Sequence, residues 1–239
     1  MLTNFRTILS QKIQLNSDTY LYHFDLIEPR EINFKAGQYL MIKIPTDKDP
    51  VSRLYSIASS AAEKNSFELI IQIIPGGLAS SYLSNLKVKD EIIFQGPAGI
   101  FGLKENNRSK IFLVTGTGIA PVRSILNSAP IKSGQNSELF LFWGLKKYED
   151  IYLLEELKKF NPKICLSREQ NLEIIPANDK KYFELGHINS CFEKQILDTK
   201  YSILNTNFYL CGGRKIVESL RLFLINKGVL LENIYFEKF

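Results

Sequence analysis

The chain has 239 residues, of which 45% are hydrophobic and 23% charged, the balance of a globular protein with room for one large or two ordinary domains. Thirty Lys and Arg against 25 Asp and Glu leave a net charge of +5, which suits an anionic ligand but is too small and too dispersed to mark a nucleic-acid binder. Three widely spaced cysteines (Cys165, Cys191, Cys211) and two histidines (His23, His187) exclude a disulfide framework, a cysteine or histidine zinc site and a four-cysteine iron–sulfur cluster, so no metal is expected. The opening "MLTNFRTILSQKIQLN" lacks the apolar core of a signal peptide, and no apolar run approaches the ~18 residues of a membrane span. A cytoplasmic protein without membrane insertion is therefore expected.

The first hundred residues read as short strands. "TYLYHFDLI", "QYLMIKI", "SFELIIQII" and "DEIIFQG" are rich in β-branched and aromatic residues, and turn signals such as "EPREINFKAG" and "PTDKDP" separate them. Many short strands at close spacing predict an antiparallel barrel or sandwich. "SSYLSNLKV" is the helix expected there. One stretch, "SRLYSIASS", looks like a strand yet carries Arg53, Tyr55 and four serines where a core strand would use aliphatic residues.

The second half changes rhythm. The apolar run "KIFLVTG" precedes a helix over "APVRSILNS", and "ELFLFWG" precedes a helix over "YEDIYLLEELKKFNP". In the latter Ile151, Leu154 and Leu157 share a face, Asp150 suits the start and Asn161-Pro162 the stop. "KICLS" and "FYLCGG" are further strands. A helix over "RKIVESLRLFLINKG" follows, with Ile216, Leu220, Phe223 and Leu224 as its stripe and Gly228 as its C-cap glycine. "NIYFEKF" closes the chain. Strand–helix alternation predicts a parallel sheet covered on both faces. The polar segment around residues 102–110 marks the boundary, giving domains 1–105 and 106–239.

"FLVTGTGIAP" runs a buried strand into Gly116-Thr117-Gly118 and then a helix. Glycines let backbone N–H groups approach a phosphate, and the helix N-terminus adds a favourable field. Pro121 stands where the third glycine of G-x-G-x-x-G would fall, so the turn is a weak dinucleotide fingerprint taken alone.

Seven short motifs then fall into one order: R-x-Y-S (Arg53, Tyr55, Ser56), "GGLASSYL", "GPAGIF", "GTGIAP", "LSREQ", "YLCGG" and the terminal "YFEKF". Together they resemble the ferredoxin–NADP(+) reductase family of flavoproteins over nearly the whole chain. The resemblance implies an antiparallel β-barrel domain that binds FAD, FMN being second choice, followed by a Rossmann-like α/β domain for NAD(P). Arg53 resembles the arginine that pairs with the flavin phosphates, a task suited to its fork of donors. Tyr55 resembles the aromatic against the flavin ring, and Ser56 the hydroxyl near the redox nitrogen N5. Leu54 lies between them. Ile70, Ile71, Gln72 and Ile73 would offer strand backbone to the ring's polar edge. Gly77, Leu78, Ala79 and Ser80 resemble the pyrophosphate turn. Thr117 would serve both flavin and nucleotide.

For the nucleotide, the resemblance implies Gly116, Thr117, Gly118, Cys211, Gly212 and Gly213 beside the nicotinamide end. Ser167 and Arg168 resemble the pair that holds an adenosine 2′-phosphate, so NADP(H) is expected and NAD(H) stays open. Lys146 and His187 fall where relatives often carry arginine, a weaker clamp and an uncharged ring respectively; Lys180 and Lys181 are candidate compensators. Phe239 resembles the C-terminal aromatic that covers the flavin. With Ser56 and Cys211 it makes up the expected catalytic set, Cys211 as a packing residue and not a nucleophile.

The function implied is hydride transfer between NADPH and flavin N5, coupled to a one-electron carrier such as ferredoxin or flavodoxin, by a monomer. Competing readings are an NADH-dependent reductase component of an oxygenase, which the "YFEKF" ending favours, and a free-flavin reductase, which the phosphate-binding motifs disfavour. A non-enzymatic nucleotide-binding module is the alternative from another class, and it would be colourless.

Overall fold

The computed structural model of the chain describes residues 2–128, 139–197 and 203–239. They form two compact units: Met1–Leu103 with Ala120–Ile131, and Lys104–Ile119 with Lys132–Phe239.

The first unit is a curled antiparallel sheet of six strands: β1 (Thr3–Gln14), β2 (Thr19–Glu28), β3 (Tyr39–Ile44), β4 (Val51–Ser56), β5 (Ser66–Gln72) and β6 (Glu91–Ala98). Their order is β4-β3-β6-β1-β2-β5. The sheet closes where Ile57 bridges Leu69 and the Ala58 N–H donates to the Glu68 carbonyl at 2.8 Å, so the barrel expected from the sequence is present. Its interior is aromatic. Phe94 meets Phe24 and Phe67 edge-on, with centroids 4.9 and 5.1 Å apart, contacts worth about 0.5–1.5 kcal/mol each beyond burial. Helix α1 (Leu78–Asn85) connects β5 to β6, and the Tyr22 hydroxyl donates to its Leu83 carbonyl at 3.0 Å.

Strand β1 is absent from the sequence-based assignment. Phe5, Thr7 and Leu9 alternate inward, but the middle one is a buried threonine whose hydroxyl donates to the Ile92 carbonyl at 2.9 Å, which dilutes the apolar period. Most of helix α2 (Ile119–Ser128) groups with this unit, although it follows a strand of the other. Polar pairing accounts for that. Arg123 Nη1 lies 2.5 Å from Glu68 Oε2 and donates to the Ala58 carbonyl at 3.1 Å, and Ser128 Oγ accepts from the Ala61 amide at 2.7 Å.

The second unit is a parallel sheet: β7 (Ser109–Thr115), β8 (Leu139–Leu145), β9 (Lys163–Leu166), β10 (Phe183–Leu185), β11 (Thr206–Gly212) and β12 (Ile234–Lys238). The order is β10-β9-β8-β7-β11-β12. After β7 the chain steps outward through β8, β9 and β10, then returns to the other side of β7 for β11 and β12. Ile111, Leu113, Phe142, Phe208 and Leu210 pack against Phe192 of α4 (Ile188–Leu197) and Val217, Leu220 and Leu224 of α5 (Arg214–Asn226).

Three expectations need correction. The long helix over residues 148–160 is broken: a 3₁₀ turn (Tyr148–Asp150), a single α turn, α3 (Leu154–Leu157), and another 3₁₀ turn (Lys158–Phe160) replace it, with Leu153 left-handed at φ 54°. Asp150 accepts the Lys147 amide at 2.9 Å, capping the first 3₁₀ turn and not an α-helix. The α5 stripe is Val217, Leu220 and Leu224 with Phe223 packed beside them; Ile216 is 44% exposed, one position off the buried line. Strand β10 and helix α4 complete a sheet that the sequence reading left one strand short; β10 is only three residues long. Gly228 does end α5, at φ 88°.

Candidate functional site

Two clusters, one per unit, gather nearly all the residues singled out by sequence. In the barrel they flank an opening. The bridge between Ile57 and Leu69 is antiparallel, so its register, continued, would set Ser56 opposite Ile70 and Arg53 opposite Ile73. No ladder forms there: β4 and β5 are the two ends of the sheet order and each is paired along one side. Backbone hydrogen-bonding groups of both strands therefore face a gap instead of each other, a state that exposes polar backbone to whatever fills it.

The side chains at this gap are those a core strand would not use. Arg53 is exposed, and its Nη1 donates to the Ser52 carbonyl at 2.9 Å, with no carboxylate partner among the described residues. Leu54 is 55% exposed. Tyr55 packs partly against the barrel core; burial raises its phenol pKa, and the Arg53 charge pulls it partly back. Ser56 is half-buried. Ile70 and Ile71 are both buried, Ile71 within the barrel core, Gln72 Nε2 donates to Asp18 Oδ2 at 2.7 Å, and the Ile73 amide donates to the Asp18 carbonyl at 2.7 Å.

The turn after β5 leaves backbone donors free at a helix start. Gly77 is the N-cap of α1 and no side chain caps that helix end. Leu78 is exposed and Ala79 buried. Ser80 is buried, and its Oγ accepts the Ile74 amide at 2.8 Å, which fixes the turn and leaves the hydroxyl proton to donate elsewhere. A Cβ on Gly76 would meet nothing within 4 Å. An uncapped helix start, open space beside it, a guanidinium without an acid and an unpaired ladder form a donor set that fits a flavin dinucleotide.

In the parallel sheet the cluster sits at the carboxyl ends of the strands, at the point where strand order reverses between β7 and β11, the usual ligand crevice of open α/β sheets. Gly116-Thr117-Gly118 follows β7, and Gly212-Gly213 ends β11 and starts α5. The two turns interlock. A Cβ on Gly118 would lie 2.3 Å from the Cys211 carbonyl oxygen, and one on Gly212, at φ 148°, 2.2 Å from Thr115 Oγ1. Gly116 and Gly213 instead face open space, and Gly213 caps α5 without a side chain. Trp143 Nε1 and the Tyr152 hydroxyl donate to the Gly116 carbonyl at 3.0 and 3.3 Å, holding the turn. Sequence reading missed both; the single tryptophan of the chain, at the end of a strand, was the available signal.

Cys211 is 1% exposed, and burial pushes its thiol well above the usual range, so it remains protonated and packs, as expected of a non-nucleophile. Phe239 is 59% exposed, but its backbone is fixed: its N–H donates to the Gly212 carbonyl at 3.3 Å, and its main-chain oxygen accepts from the Arg214 amide at 3.1 Å.

Further along the same sheet edge, Lys146, Ser167, Arg168 and His187 follow β8, β9 and β10 in turn. Backbone bonds join them: Ser167 N to the Leu145 carbonyl at 3.0 Å, Arg168 N to the Lys146 carbonyl at 2.8 Å, Gly186 N to the Leu166 carbonyl at 2.9 Å. The Lys146, Arg168 and His187 side chains are exposed, and none has a hydrogen-bond or ion-pair partner among the described residues. Ser167 Oγ donates to the Leu145 carbonyl at 3.2 Å, so it must turn before it can donate to a phosphate. Lys180 and Lys181 do not join this group. They precede β10, and the Lys181 carbonyl accepts from Lys163 at the start of β9, the opposite end of the strands.

An antiparallel barrel with an open, uncapped helix start, together with a parallel sheet with glycine turns at its switch point, defines a two-domain flavin- and nicotinamide-dependent oxidoreductase. The comparisons with known proteins agree. Residues 6–102 match the oxidoreductase FAD-binding domain and residues 112–221 the oxidoreductase NAD-binding domain. The chain is 28% identical over 236 residues to the toluate 1,2-dioxygenase electron transfer component of Pseudomonas putida, covering 98% of this chain and 67% of that protein. It is 30% identical over 233 residues to a human NADH-cytochrome b5 reductase-like protein, covering 93% and 72%. Several other relatives are spanned over 60–66% of their length. A ferredoxin NADP+ reductase from Neisseria gonorrhoeae, solved with bound FAD and NADP, superposes with a TM-score of 0.81 at 20% identity over 99% of this chain and 98% of that one. The chain belongs to the ferredoxin–NADP(+) reductase family of flavoproteins. No helix among the described residues is long and apolar enough to cross a membrane.

Proposed function

We propose that the protein oxidises NADPH and delivers the electrons singly to a separate carrier, a ferredoxin or a flavodoxin. When bound, FAD supplies the N5 atom that takes hydride from nicotinamide C4 and the capacity to release electrons one at a time. The chain's own residues bind and orient. Arg53 neutralises the flavin phosphates, and the amides at Gly77, Leu78, Ala79 and Ser80 take the pyrophosphate. Tyr55 would lie against the ring, Leu54 and the backbone of Ile70, Ile71, Gln72 and Ile73 would line it, and the Ser56 hydroxyl would serve N5. Thr117 and Phe239 are assigned to the flavin as well. Gly116, Thr117, Gly118, Cys211, Gly212 and Gly213 seat the nicotinamide half. Domains 1–105 and 106–239 divide these tasks. The reading places the protein in a reducing cytoplasm, as a monomer.

The observation that carries the choice of NADPH is the exposed Arg168 guanidinium beside the exposed Lys146 ammonium at the ends of β8 and β9, neither paired among the described residues. Two cations without acids suit a 2′-phosphate dianion and are wasted on a ribose hydroxyl. The relatives named as oxygenase electron transfer components support a second reading, an NADH-driven supply to an oxygenase. The deciding experiment mixes the purified protein with NADPH or NADH and either a [2Fe–2S] ferredoxin or a flavodoxin, and follows reduction of the carrier. Carrier reduction driven preferentially by NADPH is expected. Nucleotide oxidation that leaves both carriers oxidised overturns the proposal, and a preference for NADH moves it to the second reading.

A further inference from the structure

The 2′-phosphate cluster has a feature its motif does not explain. Arg168 is followed directly by a carboxylate, Glu169, which would be expected to neutralise it. It does not. Glu169 is half-buried, and its Oε1 accepts the backbone N–H of Tyr148 at 2.9 Å. No cation pairs with it among the described residues. The other two carboxylates of these turns are also committed: Glu149 lies 3.6 Å from Lys147 Nζ, and Asp150 accepts the Lys147 amide at 2.9 Å. Every acid in residues 146–150 and 167–170 is thus turned to a local partner, while Lys146 and Arg168 keep their charges bare.

The Glu169 bond is also a side-chain link between the two turns, one step beyond the Ser167 Oγ bond to the Leu145 carbonyl. The backbone bonds Ser167 N to Leu145 and Arg168 N to Lys146 extend the β8–β9 pairing, and Glu169 prolongs the seam by one residue through its side chain. A carboxylate acceptor at the outer end of that seam holds it firmly, since bonds to ionised acceptors are roughly twice as strong as neutral ones.

We propose that Glu169 is a positioning residue for 2′-phosphate recognition. It locks the 167–169 turn to the 146–148 turn through the Tyr148 amide and withdraws its own charge from Arg168, so that Arg168 and Lys146 stay available to the phosphate. This rests on the NADP(H) reading.

The test uses binding of 2′,5′-ADP and of 5′-AMP to the flavin-loaded protein by calorimetry, with KM and kcat for NADPH and NADH alongside. Glu169→Ala removes the acceptor. It is expected to weaken 2′,5′-ADP about three- to tenfold, the worth of one hydrogen bond, to raise KM for NADPH in step, and to leave 5′-AMP, KM for NADH and kcat unchanged. Glu169→Gln keeps a carbonyl acceptor for the Tyr148 amide and is expected to restore 2′,5′-ADP binding to within about twofold of the parent. Four outcomes overturn the role: equal weakening by Ala and Gln, equal weakening of both probes, tighter 2′,5′-ADP binding in Glu169→Ala, or no change at all. Arg168→Ala separates the two layers. If it leaves the preference for 2′,5′-ADP over 5′-AMP intact, the NADP(H) reading itself falls. If it abolishes the preference while Glu169→Ala is silent, only the positioning role falls.

Discussion

Gly76 in the barrel turn, and Gly118 and Gly212 at the sheet's switch point, look alike in sequence and do opposite things. Beside Gly76 in the barrel there is empty space; Gly118 and Gly212 in the sheet have the chain itself 2.3 and 2.2 Å from where a Cβ would stand. The first leaves room for a ligand; the others let the chain close on itself, against the Cys211 backbone at Gly118 and against the Thr115 hydroxyl at Gly212. The lesson is that a glycine motif specifies closeness without specifying to what, and only the surroundings tell a cofactor cradle from an internal joint.

The contrast can be broken by substitution. Gly118→Ala or Gly212→Ala forces a methyl into fixed backbone or into Thr115, and should cost about 3 kcal/mol, read as a drop in thermal midpoint of roughly 6–12 °C for a chain of this size. Arg53→Ala should leave the fold intact and weaken FAD roughly 10- to 100-fold, as expected for losing hydrogen bonds between a guanidinium and phosphate, measured from flavin absorbance retained on dialysis. Arg168→Ala should lower kcat/KM for NADPH by a similar roughly 10- to 100-fold and barely change that for NADH. Gly76→Ala meets no atom but sits at φ 74°, so it should cost only about 1–2 kcal/mol of left-handed strain, well short of the Gly118 effect; equal losses at the two sites would erase the distinction.

The smallest effect is set by pH. Burial raises the thiol of Cys211 and lifts the Tyr209 phenol to about 12, so the folded state holds protons that the unfolded chain gives up sooner. That stability is complete below the unfolded values, near pH 8.5 for a thiol and pH 10 for a phenol, and is lost as pH rises toward the folded ones. The urea midpoint should therefore decline above about pH 8.5. A midpoint that rose there would contradict the burial argument.

Much of this was legible because the motifs carry chemistry out of place. Arg53 and Tyr55 in a strand, Gly116-Thr117-Gly118 at a strand's end and Ser167-Arg168 after another point to anionic, planar ligands whatever the packing. Elements fixed by tertiary partners were harder to read. Strand β1 hides its period behind buried Thr7, and β10 is short and follows an irregular loop. The stretch over residues 148–160 has helical spacing, yet Leu153 turns left-handed and Tyr152 reaches back to the Gly116 carbonyl, so tertiary bonding overrides propensity. Glu169 was hidden for a different reason: its role depends on a backbone amide 21 residues away, which no local pattern encodes.

The central claim is that one chain holds FAD in its barrel and takes hydride from NADPH through the sheet domain. An anaerobic titration of the purified protein with NADPH and then NADH, followed in the visible spectrum, tests it most directly. The account predicts a bound-flavin spectrum that bleaches stoichiometrically with NADPH and needs a higher concentration of NADH. A colourless protein that does not take up FAD, or bleaching by NADH alone, would contradict it.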